Sequence, residues 1–200
     1  MVTNSSNAFF KESFIDELAH RVGMDEVQFR LANMQKNPRL KKATELAAAK
    51  ANWGQPLPAG HFQGLATHSS FGSAVAQIAE VSIENNTIVV HRVTAAIDCG
   101  MVVNPGIVRD QVEGGIIYGL TAALYGEVTL RDGVVQETNF HTYPMLRMAQ
   151  APTVDVHIVD SQEHPEGVGE PGLPPIAPAV ANAIFKATGQ RLRRLPLKLS

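Results

Sequence analysis

Two strand-like runs, Gln77-Ile-Ala-Glu-Val-Ser-Ile83 and Thr87-Ile-Val-Val-His-Arg-Val-Thr94, flank the dipeptide Asn85-Asn86. Asparagine tolerates the left-handed backbone that both central residues of a tight hairpin turn must adopt. The spacing therefore predicts an antiparallel hairpin in mid-chain, and any fold has to be built around it. What precedes it reads as helical. Phe9, Phe10, Phe14, Ile15, Leu18 and Val22 recur at helical spacing up to Gly23. Asp25-Glu-Val-Gln28 has the form of a capping box opening a second helix through Phe29, Leu31 and Met34. Asn37-Pro38 interrupts that helix, and Leu40 to Ala51 predicts a third. The turn-rich Trp53-Gly-Gln-Pro-Leu-Pro-Ala-Gly60 marks the expected boundary between a helical segment, 1–55, and a larger strand–helix part, 56–200.

Beyond the hairpin, Ile97-Asp-Cys-Gly100 leads to Asn104-Pro105, which starts a long apolar helix over 106–126 carrying Gly114, Gly115 and Gly119. Each interior glycine costs about 0.5–1 kcal/mol relative to alanine, so close packing or close approach of a ligand has to offset it. Arg131-Asp-Gly133, between Glu127–Leu130 and Val134–Glu137, predicts a second hairpin, and Val154–Val159 alternates as a half-buried strand. A last helix covers Ile176 to Gly189 and is followed by the basic Arg191-Leu-Arg-Arg194 with Lys198, expected to be a solvated end. The fold class expected is mixed α/β, in the α+β sense.

Composition removes several function classes. The net charge of −2 suggests neither nucleic acid nor an anionic membrane as partner. No apolar run reaches the roughly 18 residues of a membrane span. The single cysteine, Cys99, excludes an internal disulfide framework and any iron–sulfur cluster held by this chain alone; it is expected to be buried and inert. The seven histidines are scattered with no pair at helical metal-ligand spacing, so no protein-ligated metal is expected. Neither a nucleophile elbow nor a phosphate-binding glycine loop is present.

One stretch remains chemically suggestive: Glu166-Gly-Val-Gly-Glu170-Pro-Gly-Leu-Pro-Pro175. Glycines permit close backbone approach, and Pro171 holds Glu170 extended. A carboxylate with a fixed aim suits a general base. A helix N-terminal turn whose Glu170 favours the dipole explains the same residues.

Asp98-Cys-Gly-Met-Val-Val-Asn-Pro105, Gln111-Val-Glu-Gly-Gly115 and Gly167-Val-Gly-Glu-Pro-Gly172, in this order, resemble the C-terminal motifs of the molybdenum hydroxylases, the xanthine oxidase and aldehyde oxidoreductase family. Asn7-Ala-Phe-Phe through Ala19, Ala123-Leu-Tyr-Gly-Glu127, Asn139-Phe-His-Thr-Tyr-Pro144 and Arg193-Arg-Leu-Pro-Leu197 resemble the branch of the isoquinoline 1-oxidoreductase beta subunit. The resemblance implies a molybdopterin-binding fold with Glu170 as the general base beside the molybdenum. It implies that Gln111 hydrogen-bonds the molybdopterin, with Asn104, Gly114, Gly115, Val168 and Gly169 lining it. The implied cofactor is molybdopterin cytosine dinucleotide with molybdenum.

The implied reaction hydroxylates an electron-poor carbon of an N-heteroaromatic or aldehyde substrate with oxygen from water. The implied partner is a small 2Fe–2S subunit that takes the electrons. The family's large subunit is several times longer, and Met1-Val-Thr-Asn-Ser-Ser-Asn7 falls inside a motif that should start earlier. The chain is therefore expected to be a C-terminal fragment, inactive by itself, prone to self-association, and dependent on N-terminal segments of the same subunit. The alternative is a non-catalytic remnant or interaction domain that keeps the motifs without the cofactor.

Overall fold

The computed structural model describes residues 3–199; Met1, Val2 and Ser200 lie outside the described residues. Three helices come first: α1 (Thr3–Arg21), α2 (Glu26–Asn33) and α3 (Pro38–Lys50). Asp25 accepts the Val27 and Gln28 amides at the start of α2, and Asn37 accepts the Leu40 amide ahead of Pro38. Each cap satisfies N–H groups that a helix start leaves without partners.

The sheet follows as β1 (Phe62–Ser70), β2 (Ser73–Glu84) and β3 (Thr87–Asp98), an antiparallel meander, with β6 (Thr153–Ile158) added parallel to β3. Asn85 and Asn86 both take positive φ, 49° and 63°, as the expected hairpin requires. The β1–β2 turn, Phe71-Gly72, does the same at 51° and 77°. Between β3 and β6 lie α4 (Pro105–Leu124) and a small hairpin of β4 (Leu130–Arg131) and β5 (Val134–Val135). That hairpin turns at Asp132-Gly133 as predicted, but its strands shrink to two exposed residues each because no layer covers them. The last helix, α5 (Ile176–Thr188), ends on Gly189 at φ 74°.

Helices cover both faces of the sheet. Val75, Ala79, Val93, Ala95 and Ile97 meet α4 and α5 on one side, while Leu65, Ala76, Ile78 and Ala96 meet α2 and α3 on the other. Mixed α/β is thus the observed class. Two expectations fail locally. Of the apolar stripe of α1, Phe9 is buried in the core, but Phe10 and Phe14 are more than half exposed, while Glu12 and Asp16 face inward at 1%. Arg30, 2% exposed, donates to Glu12 at 2.9 Å, so a charged pair shares the inward face of α1 with Phe9. The basic tail is not simply solvated either: Arg191 donates to Asp16 at 2.6 Å, and Arg193 pairs with Glu17.

Candidate cofactor-facing site

Glu170 belongs to a segment laid over the end of the sheet, between β6 and α5. The Glu166 amide donates to the Cys99 carbonyl at 2.9 Å, and the Gly167 amide to that of Phe71 at 3.1 Å. Met101 N–H reaches the Glu163 carbonyl at 2.8 Å. The sheet end is itself anchored. Arg39 of α3 donates to the Gly72 carbonyl and to the Asp98 carboxylate, both at 2.8 Å. Burial raises the Asp98 carboxyl, but Arg39 and the Gly100 amide outweigh it and hold the group below its usual range. Cys99 is buried at 3%, and burial raises its thiol, which keeps it inert. Through these contacts the family-like Asp98-Cys-Gly100 motif serves the structure by docking the glutamate-bearing segment.

The other wall is α4. Asn104 accepts the Gly106 and Ile107 amides at 3.0 and 3.2 Å and starts the helix, with Pro105 in its first turn. Gln111, Gly114, Gly115 and Tyr118 then fall at i, i+3, i+4 and i+7 and share one face. They border a cleft of about 430 Å³ together with Gly169, Glu170 and Phe71, and the start of α1 closes one side through Asn4. Asn4 is steadied by the ring of His68, 3.1 Å away. Of the residues singled out in the sequence, Glu170, Gln111, Gly114, Gly115 and Gly169 are thus brought together. Asn104 and Val168 do not border the cleft: Asn104 spends its side chain on the cap, and Val168 packs against the core.

The glycines divide by surroundings. A Cβ on Gly119 would sit 2.5 Å from Ile176, and one on Gly172 would sit 2.8 Å from the Val112 carbonyl. Those positions let α4 and the segment touch backbone to backbone. Gly115 is intermediate, with Gly172 at 3.4 Å, whereas a Cβ on Gly114 meets nothing within 4 Å. Helix packing therefore explains Gly119 and leaves Gly114 unexplained, its surface bare toward the cleft.

Two of the cleft's polar side chains, Glu170 and Gln111, are unsatisfied by protein. Glu170 is exposed, and neither its carboxylate nor the Gln111 amide meets a hydrogen-bonding or ionic partner among the described residues. A bare helix surface at Gly114, an open Gly169 and an unpaired amide at Gln111 fit a flat polar group lying on that wall, as a molybdopterin would. The charged residues on this wall, Asp110 and Glu170, are both acidic. Among the described residues, no cluster of three or more His, Cys, Asp or Glu side chains could hold a metal ion directly.

Residues 11–152 match the family model of the molybdopterin cofactor-binding domain. The chain belongs to that family, within the molybdenum hydroxylases. It is 42% identical to the isoquinoline 1-oxidoreductase subunit beta of Brevundimonas diminuta, over 95% of this chain and 25% of that protein. It is 35% identical to a membrane-bound aldehyde dehydrogenase (pyrroloquinoline-quinone) of Gluconacetobacter polyoxogenes, over 94% of this chain and 27% of that protein. Among solved structures, the aldehyde oxidoreductase of Desulfovibrio gigas aligns with a TM-score of 0.54 and 26% identity, covering 62% of this chain and 14% of that one. The chain thus spans about a quarter of the length of the curated relatives it matches.

Sequence reasoning missed Phe71, Asp110 and Tyr118 as neighbours of Glu170 in this molybdopterin-binding family member. Tyr118 was within reach, because it continues the helical spacing of Gln111, Gly114 and Gly115. Phe71-Gly72 was a readable X-Gly turn before a strand, but nothing local says that its tip meets a segment almost a hundred residues later.

Proposed function

We propose that this chain supplies the general base and one cofactor-facing wall of a molybdenum hydroxylase. That enzyme hydroxylates an electron-poor carbon of an N-heteroaromatic ring of isoquinoline type, or of an aldehyde, with water as the oxygen source. The observation that carries the reading is the unpaired Glu170 carboxylate facing the same cleft as the unpaired Gln111 amide and the bare Gly114. In this reading Gln111 hydrogen-bonds the pterin, Gly114 and Gly115 give it a flat bed on α4, and the backbone at Val168 and Gly169 approaches it from the other side. Asn104 acts indirectly, by starting α4 where it places Gln111 one to two turns further on. When bound, the cofactor supplies the electron-accepting metal and activates water-derived oxygen.

Glu170 accepts the proton of the attacking oxygen, a role for which an exposed carboxylate with no internal partner is free. The cofactor form we propose is the cytosine dinucleotide, usual in bacterial members. Among the described residues, the charged side chains bordering the cleft are Asp110 and Glu170, so a phosphate-bearing cofactor would need cations from N-terminal segments of the same subunit. Electrons leave to a small 2Fe–2S subunit, since Cys99 is the only cysteine. By itself the 200-residue chain is proposed to be inactive, and to self-associate through solvent-facing apolar side chains such as Phe10, Phe14 and Phe140. The test is co-expression with the upstream subunit segments and an iron–sulfur subunit, followed by metal analysis and dye-linked oxidation of isoquinoline and an aromatic aldehyde. Molybdenum and turnover are expected in the assembled protein; absence of both favours the non-catalytic remnant.

A further inference from the structure

β2 carries two side-chain donors on one face, four residues apart, and each is bonded to a carbonyl of the glutamate-bearing segment. Ser73 Oγ donates to the Gly167 carbonyl at 2.6 Å, and Gln77 Nε2 donates to the Gly172 carbonyl at 2.6 Å. Ser73 is 1% exposed and Gln77 is fully buried. The two accepting carbonyls bracket Glu170. Four residues of strand span about 13 Å, and a segment of five residues reaches about 17 Å at full extension. Anchors on one rigid strand at that separation leave the segment little freedom to bow away from the sheet. The reverse turn that runs from Glu170 past the second anchor, closed by Leu173 N–H to the Glu170 carbonyl at 2.9 Å, takes up part of what remains.

Gln77 has no purely apolar justification. Its Oε1 has no hydrogen-bond partner although it is buried, a penalty that methionine or leucine in the same volume would avoid. Its neighbours on that face are Val75 and Ala79, ordinary core residues. The donor half of the amide is what the fold uses.

We infer that Ser73 and Gln77 are positioning residues that set the place and aim of Glu170 by clamping the carbonyls on either side of it. This rests on the reading of Glu170 as the base. Two measurements test it. In the 200-residue chain, hydrogen exchange of the bonded amides of Glu166, Gly167 and Leu173 is expected to speed up by about 10-fold or more in Ser73→Ala and in Gln77→Met, with β1 and β3 unchanged. In the assembled enzyme each variant is expected to lose about 10-fold in kcat, with KM and molybdenum content within about twofold of wild type. Ser73→Thr, which keeps the hydroxyl, restores both. In a Glu170→Gln background neither variant lowers the residual rate further, because a positioning role vanishes with the group it positions, whereas a general loss of stability persists.

Unchanged exchange with kcat within twofold of wild type overturns the inference, as does an equal fold-loss in the Glu170→Gln background. If Gln77→Met fails to fold, Ser73→Ala, a one-atom deletion, decides the matter alone. An active Glu170→Gln enzyme overturns the base assignment itself, whereas an inactive one with indifferent Ser73 and Gln77 variants overturns only the clamp.

Discussion

Glu12 and Glu170 are carboxylates in opposite surroundings. Glu12 is 1% exposed and accepts from Arg30 at 2.9 Å, from the Thr67 amide at 2.9 Å and from the Thr67 hydroxyl at 3.2 Å. Asn182 of α5 reaches the Glu12 carbonyl from the other side. Glu170 lies in the open on a tethered segment, and its carboxylate meets no partner among the described residues. A buried charge is tolerable only when paired and hydrogen-bonded, so the Glu12 network ties α1, α2, β1 and α5 into one body. An exposed carboxylate on a fixed backbone contributes little to that body and keeps its oxygens for something else. The difference separates a residue that holds the fold from one that is held by it.

That contrast can be broken at either end. The largest effect is expected from Glu170→Gln, which should lower turnover of the assembled enzyme by about 10²–10⁴-fold and leave its thermal midpoint and molybdenum content near wild type. Steady-state kinetics beside a melting curve would erase the distinction if stability fell instead. Next is Arg30→Met, which strands Glu12 without its buried guanidinium while Asp16 keeps Arg191, and should destabilise the chain by about 3–5 kcal/mol, read from urea denaturation.

The same contrast recurs within α4 at smaller scale. Gly119→Ala forces a Cβ to 2.5 Å from Ile176 and should cost about 1–3 kcal/mol of stability. Gly114→Ala meets open space and should stabilise the isolated chain by about 0.5–1 kcal/mol, while narrowing the cleft and reducing molybdenum loading in the assembled protein. A destabilised Gly114 variant would show that this face is packed after all.

The smallest effect concerns pH. Burial, helped by the charge of Lys11, lowers the His68 imidazole from its ordinary value of 6.5. The unfolded chain then binds the proton more readily, so stability is complete above that value and declines as pH falls toward the folded one. Replacing His68 by Gln should flatten the stability profile between about pH 7 and 5, as seen in denaturation midpoints across that range.

Much of the local architecture was legible. The helix starts at Asp25 and Asn104 and the Asn85-Asn86 turn depend on neighbours within a few residues and form where expected, whereas Asn37-Pro38, read as an interruption ahead of a helix from Leu40, itself caps and opens that helix. The inward face of α1 was not legible, because a phenylalanine stripe and a Glu12–Asp16 stripe are both periodic. That Glu12 and Asp16 join Phe9 inside while Phe10 and Phe14 stay out depends on Arg30 and Arg191, 18 residues from Glu12 and 175 from Asp16. The wide spacing of Gln111 and Glu170 gives no local sign that one cleft receives both; only the family resemblance implied that they meet.

Element types, helix starts, turn positions and the family motifs were therefore determined by the amino-acid sequence alone, since each rests on local backbone preference or on an ordered set of short motifs. Tertiary structure decided the rest: which face of α1 is buried, which glycines are packed and which are bare, and how Ser73 and Gln77 bracket Glu170. Those outcomes depend on long-range pairings in which a side chain's role is set by what the fold brings against it. No local preference encodes that choice.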